Sequence, residues 1–515
     1  MAQELRSINL VAPAFKGINT EDSPIAQDPS FAEIADNAII DKRGRIAARK
    51  GYNVITTDKT QLGTDSIRAI EEFRDSGGNT EIFSVGNNKI LSGTTTLTDA
   101  SATLVSGGYT ISADNWKLVN FNDSMYFFQA TYEPLVYNNT DGLQKMSSIS
   151  GASAVADIPK ANEVIGAYGR LWCADTGTDK STVYWSDLLI GQNWTGGTSG
   201  SIDISKVWPD GYDEIVALSA HNGFLIIFGK HSIVVYQGAE APATMSLADT
   251  VAGVGCVDRD TVKHTGTDVI FLSHTGLRSF SRTIQEKSMP ISTLSRTITK
   301  DIISLLQNET SYYRTAYSPE ENFYLLTFVG QQTTYCFDLR GKLEDGSLRV
   351  TRWPGSEFTA YTRLEDGTLY IGSADGISSY STYSDNGTSY RFRYYSPSLT
   401  FGDASRLKIL KKVKPTLVGA NSSTVFMKFA YDFDTTYRTT EFTVGNQTPA
   451  YFAVNEFGSN SSPLSEFTGG SLTTQRSLNA VGNGSTVVIG LEADINGFDL
   501  SLQEINVQAL IGKTV

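Results

Sequence analysis

The sequence predicts an all-β protein built around a β-propeller, and three observations lead to this fold class. Short runs of β-branched and aromatic residues recur along the chain, bounded by Gly, Asn, Asp and Ser. The centres of the seven most apolar runs lie 43 to 55 residues apart, a spacing typical of four-stranded propeller blades. Several units also share one plan: a strand, a turn, the apolar run, a second turn and an aromatic strand. The central residues of the seven runs are Phe83, Tyr126, Leu171, Ile226, Ile270, Leu325 and Tyr370.

Length and composition exclude several classes of protein. The 515 residues suffice for two or three domains, and 24 Tyr with 25 Phe argue against a disordered chain. No apolar run approaches the roughly 18 residues of a membrane span, and the first residues do not resemble a signal peptide. The net charge of −13 argues against a general nucleic-acid coat. Three cysteines do not form a disulfide framework, which indicates assembly in a reducing compartment.

The elements divide into three regions in chain order. Residues 1–60 read as an N-terminal arm, in which Ser30 and Glu33 have the spacing of a capping box and predict a short helix. Residues 61–386 carry the propeller repeats. Within them, apolar residues at helical spacing predict an interrupting helix near 291–308. Residues 387–515 have longer strands and predict a C-terminal β-sandwich-like domain. Seven central runs fit seven blades or six blades with an extra sheet, and an ordinary multi-sheet β protein is the alternative fold.

Motifs for catalysis or for cofactor binding are scarce. The four histidines, His221, His231, His264 and His274, lack the spacing of a metal site, although adjacent blades could bring His231 and His274 together. There is no phosphate-binding glycine loop and no nucleophile elbow. We therefore predict no catalytic, cofactor-binding or metal-binding residue. A propeller glycosidase is the enzymatic alternative, and its scattered carboxylate candidates are Asp187, Asp213 and Glu214.

Two basic clusters stand out against the acidic background. One brackets a glycine in the N-terminal region, and the other occupies a predicted strand in which basic and apolar residues alternate, so that one face is basic and the other buried. Each predicts either a solvated face or a surface that docks an acidic partner, with glancing nucleic-acid contact as a further alternative. The first cluster is Lys42, Arg43, Arg45, Arg49 and Lys50, and the second is Arg406, Lys408, Lys411, Lys412 and Lys414.

Several segments resemble the tail nozzle (tail hub, tail tubular protein B) proteins of short-tailed bacteriophages. At the N-terminus, Lys16-Gly17, Ser23-Pro24, Asn37, Gly44 and Arg49 are similar to the opening pattern of that family. The resemblance continues through the segments at 162–187, 213–238 and 251–282, and again at TFGDASRLKILKKVKPTLVG. It covers most of residues 15–430 and rests on the order of loose motifs. The chain is shorter than the longer family members, and residues 440–485 do not align.

The resemblance implies a structural virion protein without catalytic residues or cofactors. Such proteins form homohexameric tubes below the portal and the tail adaptor, retain the packaged genome and conduct DNA during ejection. The implied partners are further copies of the chain, the adaptor, genomic DNA bound without sequence specificity, and tail fibres or a needle. The implied location is the virion tail, after assembly in the bacterial cytoplasm. A glycan-degrading or receptor-binding tail propeller is the alternative function.

Overall fold

A computed structural model of the chain describes residues 4–285, 293–420, 423–444, 451–452, 465–466 and 473–514. The protein is all-β, as predicted. The described residues contain three α-helices: α1 (Ala102–Ser106), α2 (Phe280–Gln285) and α3 (Thr299–Asn308). Among these residues, no helix is long and apolar enough to cross a membrane.

The first seven strands form short extended pieces that join several different sheets. They are β1 (Glu4–Leu10), β2 (Gly17–Ile18), β3 (Phe31–Ala32), β4 (Ile34–Asp36), β5 (Ala38–Ile40), β6 (Ile46–Ala48) and β7 (Tyr52–Val54).

Four antiparallel four-stranded sheets follow, which we call blades 1 to 4. Blade 1 comprises β8 (Ala69–Arg74), β9 (Thr80–Gly86), β10 (Lys89–Ser92) and β11 (Thr98–Asp99). Blade 2 comprises β12 (Lys117–Phe121), β13 (Ser124–Phe128), β14 (Leu135–Asn138) and β15 (Gly142–Lys145). Blade 3 comprises β16 (Ala161–Ala167), β17 (Arg170–Thr176), β18 (Thr182–Trp185) and β19 (Gly200–Asp203). Blade 4 comprises β20 (Ile215–His221), β21 (Phe224–Gly229), β22 (Ile233–Gln237) and β23 (Ser246–Val251).

A three-stranded sheet and two further blades complete the ring. The three-stranded sheet comprises β24 (Lys263–His264), β25 (Val269–Ser273) and β26 (Gly276–Ser279). Blade 5 comprises β27 (Tyr313–Ser318), β28 (Phe323–Phe328), β29 (Thr333–Lys342) and β30 (Leu348–Pro354). Blade 6 comprises β31 (Ala360–Arg363), β32 (Leu369–Ser373), β33 (Gly376–Tyr380) and, as its outer strand, β7 from the N-terminal region.

The seven sheets close into a propeller, six with four strands and one with three. The innermost strands lie beside one another around the axis, and β31 of blade 6 returns to β8 of blade 1. Between blade 4 and the three-stranded sheet, the neighbour of β20 is the 3₁₀ turn Arg259–Thr261, which precedes β24. We call the interface between two adjacent sheets of the ring a seam. Buried apolar residues of the two sheets pack together in each seam, for example Ile70 of blade 1 with Ile377 of blade 6. This packing on both faces explains why the central runs of the sequence are apolar throughout.

The C-terminal strands build a β-sandwich beside blade 5. They are β34 (Tyr390–Tyr395), β35 (Arg406–Gly419), β36 (Thr424–Tyr431), β37 (Arg438–Thr443), β38 (Tyr451–Phe452), β39 (Ser465–Glu466), β40 (Thr473–Gln475), β41 (Leu478–Asn479), β42 (Asn483–Gly484), β43 (Val487–Ile495) and β44 (Leu500–Thr514). One layer continues from blade 5 through β4 into β34, β43, β36 and β37, and the other contains β35, β44, β6 and β5. The edge strand β1 pairs with β44 in this second layer. The two layers share one apolar core, which includes Phe392, Leu491, Val413 and Val507.

The structure corrects the predicted helix of the N-terminal region. Residues 31–36 form β3 and β4, because tertiary strand pairing takes the backbone groups that a helix would use. β3 pairs with β2, β4 lies between β30 and β34, and the Glu33 amide donates to the Tyr395 carbonyl. The N-terminal region therefore contributes strands to sheets of both the propeller and the sandwich.

The predicted helix near 291–308 is shorter than the pattern indicated. A 3₁₀ turn at Arg296–Ile298 leads into α3, and residues 291–292 lie outside the described part of the chain. Ile298 and Ile302 are fully buried in the core that the sandwich shares with the three-stranded sheet and blade 5.

Candidate functional site

The first basic cluster divides into two exposed residues and three that form ion pairs within the chain. Lys42 and Arg43 are exposed in a turn. The Arg45 guanidinium lies 2.6 Å from the Asp41 carboxylate, and the Lys50 ammonium lies 2.5 Å from that of Glu321. The prediction that Arg49 belongs to a docking surface is therefore wrong, because Arg49 is buried. The ion pairs of Arg45 and Lys50 reduce the positive charge that these two residues offer to a partner.

Arg49 joins the N-terminal region to the end of the propeller. Its guanidinium forms a two-pronged ion pair with Asp385, with distances of 2.8 and 2.7 Å, and its Nε donates to Asn37 Oδ1. The guanidinium also stacks 4.3 Å from the centre of the Tyr390 ring. Burial alone would lower the pKa of Arg49, but the Asp385 carboxylate raises it above its usual value. Asp385 lies in a turn, where it exchanges backbone hydrogen bonds with Thr388.

In the second basic cluster, the predicted alternation fails at Lys408. Lys408 is fully buried, and its Nζ donates to the carbonyl oxygens of Asp403 and Ser485. Irregularities in the pairing of β35 with β44, between Arg406 and Lys408 and between Leu410 and Lys412, change which residues share a face. Arg406 stays exposed but pairs with Asp403. The basic surface that remains consists of Lys411 and Lys412, with the half-buried Lys414 beside them.

Charged side chains fill the propeller axis, where a catalytic propeller would need an open cleft. The Lys117 ammonium lies 3.4 Å from Glu163 and 3.7 Å from Asp260, and the Arg314 guanidinium lies 2.9 Å from Asp260. Burial raises the pKa of Glu163. Burial would also raise the pKa of Asp260, but Arg259, Arg314 and Lys117 together hold it well below its usual value. The cavity among these groups measures about 90 Å³.

The four histidines form two pairs between blade 4 and the three-stranded sheet. His221 Nδ1 lies 2.9 Å from His264 Nε2, and the rings of His231 and His274 stack with centres 5.8 Å apart. The contact between His231 and His274 is the one that the sequence allowed between adjacent blades. Within the described residues, no three His, Cys, Asp or Glu side chains converge as metal ligands would.

The carboxylates considered for glycan hydrolysis each organise a local turn. Asp187 accepts hydrogen bonds from the Leu188 and Thr198 amides, and Asp213 accepts them from the Lys230 and His231 amides. These bonds lower the pKa of Asp187. Burial would raise the pKa of Asp213, but hydrogen bonds from the His231 amide, the Ser232 hydroxyl and the Glu214 amide lower it overall. Glu214 pairs with Lys230 at 2.6 Å.

All three cysteines are buried as free thiols in the apolar seams between blades. Cys173 lies between blades 2 and 3, Cys256 between blade 4 and the three-stranded sheet, and Cys336 between blades 5 and 6. Burial raises the pKa of Cys173 and Cys336, and it raises that of Cys256 to about 12. Each thiol packs as a small apolar side chain, as the sequence indicated.

A surface groove of about 630 Å³ lies between the N-terminal region and the β29–β30 hairpin of blade 5. Apolar Phe15 and Phe31 lie beside charges of both signs. The Arg296 and Asp345 side chains pair across 3.2 Å at its rim. This mixture of charges favours no particular ligand class.

Comparisons with known proteins yield distant structural similarity alone. No family model matches the chain, and no curated protein matches it. The extracellular domain of a one-component system from B. thetaiotaomicron is 12% identical, with 65% of this chain and 40% of that chain covered and a TM-score of 0.40. PorZ of the type-IX secretion system of Porphyromonas gingivalis is 13% identical over 76% of this chain and 46% of that one, with a TM-score of 0.36. The WD40 propeller domain of Doa1 is 14% identical over 64% and 96%, also with a TM-score of 0.36.

The chain thus spans less than half of the first two of these structures. Because all three TM-scores are below 0.5, we base no conclusion on these similarities. The β-propeller assignment rests on the strand pairing and on the closed ring described above.

Proposed function

We propose that this chain is a structural subunit of a bacteriophage tail nozzle, a ring-shaped tube that retains the packaged genome and conducts DNA during ejection. One observation carries the proposal: residues that resemble the family's opening pattern join the propeller to the sandwich. Gly17 has φ +96°, and a Cβ there would lie 2.6 Å from the Val350 amide nitrogen of blade 5. Asn37 donates to the Arg391 carbonyl and accepts from Arg49. The placement of these residues at the junction supports the proposal, because the resemblance then falls on residues that hold the framework together.

The structure constrains where DNA would pass. The propeller axis holds the Lys117–Glu163–Asp260–Arg314 charge cluster, and its cavity of about 90 Å³ is far too small for a duplex. The path for DNA in our proposal therefore lies between subunits. Six copies of a chain with a net charge of −13 would give an acidic assembly, which repels phosphate and lets DNA slide.

The assembly proposal is tested by measuring the mass of the purified chain, alone and mixed with the adaptor of its virus, followed by negative-stain imaging. We expect rings of about six copies, formed by the chain alone or on the adaptor. A stable monomer that ignores the adaptor would contradict the proposal. Assays of glycan binding and hydrolysis would then test the alternative of a surface propeller.

We predict that the Lys411→Glu/Lys412→Glu double variant binds the adaptor about tenfold more weakly, at roughly 1.4 kcal/mol of lost binding free energy. Both side chains are exposed, and reversing them removes the basic surface on β35. Co-sedimentation of the chain with the adaptor at two salt concentrations measures the effect, which should shrink at high salt.

The matched control is Lys160→Glu/Lys206→Glu, which makes the same charge change at exposed lysines outside both clusters. Lys42→Glu/Arg43→Glu tests the exposed part of the first cluster in the same way. Unchanged binding of the Lys411→Glu/Lys412→Glu variant, or equal weakening by the control, would remove this surface from the proposal.

A further inference from the structure

The seam between blade 4 and the three-stranded sheet differs from every other seam because it contains all four histidines of the chain. His221 ends β20 and contacts His264 at the end of β24. His231 lies in the turn after β21 and stacks on His274 in the turn after β25. Because successive turns of an antiparallel sheet lie at opposite ends, one pair lies at each end of the seam.

The hydrogen bonds of the first pair hold it in its neutral form. The Gly266 amide donates to His264 Nδ1 at 3.1 Å, so the proton of His264 lies on Nε2 and is donated to His221 Nδ1. The proton of His221 then lies on its buried Nε2. An additional proton on either ring must therefore go to a nitrogen that is already accepting a hydrogen bond. Proton uptake breaks that bond and places positive charge beside the second imidazole.

Nearby charges differ between the two pairs. Asp268 lies beside His264, but its carboxylate accepts hydrogen bonds from the Val269 and Ser281 amides and from the Ser279 hydroxyl. Beside the second pair, Asp213 Oδ1 lies 3.6 Å from His231 Nδ1.

The remaining charged groups around the second pair are already paired or bonded. Lys230 pairs with Glu214, and the Arg278 guanidinium of the three-stranded sheet donates to Thr275. His264 and His274 are partly exposed to solvent. Their partial burial, and then the neighbouring histidine, lowers the pKa of both. An open seam would restore the ordinary value near 6.5, so the open state binds more protons, and falling pH favours opening below about pH 6.5.

We propose that this seam is an acid-sensitive latch, in which proton uptake by the two histidine pairs separates blade 4 from the three-stranded sheet while the other seams stay closed. The sheet on one side of the latch has three described strands, whereas each of the other six sheets of the ring has four. The inference is independent of the nozzle proposal, because it concerns one chain and requires no partner.

The native cysteines provide a reporter with internal controls. Cys256 lies in the apolar core of the histidine seam, beside Phe228 and Phe271, whereas Cys173 and Cys336 are buried in seams without histidine. A dipyridyl disulfide, which reacts with thiols in acid, would label each cysteine when its seam opens. Mass spectrometry of peptides then gives the labelling rate of Cys256 relative to the other two.

We expect the relative labelling of Cys256 to rise between pH 7 and pH 5, with a slope approaching roughly tenfold to a hundredfold per pH unit for one or two linked protons. In the His264→Gln/His274→Gln variant, the slope should fall close to zero while labelling at pH 7 stays near wild type. Each single variant should retain part of the slope, and these serve if the double variant fails to fold. Equal pH responses of all three cysteines, or a full slope in a folded double variant, would overturn the proposal.

Discussion

Replacing Arg314 by methionine is expected to destabilise the propeller by about 3–5 kcal/mol, the usual cost of removing one partner from a buried charge cluster. Arg314 is 5% exposed, and its guanidinium binds Asp260, the Thr359 carbonyl and Asn115 Oδ1. These groups come from different parts of the ring, so a single side chain bridges several sheets at the axis. Methionine keeps much of the aliphatic stem and leaves all three partners without the guanidinium.

The loss of stability in the Arg314→Met variant should also depend on pH. In the native protein, the basic neighbours outweigh burial and keep the pKa of Asp260 below the ordinary 3.8. The stabilisation from Asp260 is therefore present at neutral pH and is lost in acid, as the pH falls through the ordinary value and below it. Without Arg314, the pKa of Asp260 in the folded state rises, so the folded variant takes up a proton there at a higher pH and is relieved of part of the unpaired buried charge. Urea denaturation at pH 7 and at pH 4.5, monitored by tryptophan fluorescence, should therefore show a smaller deficit for the variant at pH 4.5 than at pH 7.

A surface pair of the same chemistry provides the control for Arg314→Met. Arg363 forms a two-pronged ion pair with Glu320, but both side chains are well exposed. Arg363→Met should cost less than about 1 kcal/mol, because exposed pairs contribute little. Similar losses for the two variants would mean that the axial cluster does not hold the ring together.

The repeating part of the fold could be predicted because each blade contains a local run of apolar residues. Six of the seven central residues, including Phe83, Leu171 and Leu325, are buried as expected, and only Tyr370 is half-exposed. In blade 6 its neighbours Leu369 and Ile371 point into the seam instead, since successive residues of a strand face opposite ways. The count of seven runs could not distinguish a complete blade from a three-stranded sheet, because the fourth strand is the least apolar.

The candidate site was harder to predict because it depends on contacts distant in sequence and on local irregularities in strands. Arg49 belongs to a basic run in the sequence, but its partner Asp385 is 336 residues away, and nothing local indicates that the pair is buried. The alternation of basic and apolar residues would place Lys408 on the exposed face of its strand. The irregularity between Arg406 and Lys408 turns its side chain to the buried face instead. Ser30 and Glu33 have the spacing of a capping box, which favours a helix locally. The pairing of β3 and β4 with other strands overrides this preference.

Replacing Arg49 by lysine is expected to loosen the closure of the propeller and to cost about 2–4 kcal/mol, although the charge is kept. A single ammonium cannot form the two-pronged pair with Asp385 and the bond to Asn37 together, and it loses the planar stack on Tyr390. Arg49 immediately precedes Lys50 and the turn into β7, which is the outer strand of blade 6. The loss should therefore appear first where β7 pairs with β33.

Hydrogen exchange can locate this effect. We expect faster exchange at the amides of β33 and β7 in Arg49→Lys, with blades 2 and 3 unchanged. Arg45→Lys is the matched control, because Arg45 pairs with the nearby Asp41 within the same turn and does not bridge distant parts of the chain. It should change stability by less than about 1 kcal/mol. If Arg49→Lys left β33 protected, or if Arg45→Lys exposed it equally, the closure of the ring would depend on the strand pairing of β7 alone and not on the buried guanidinium.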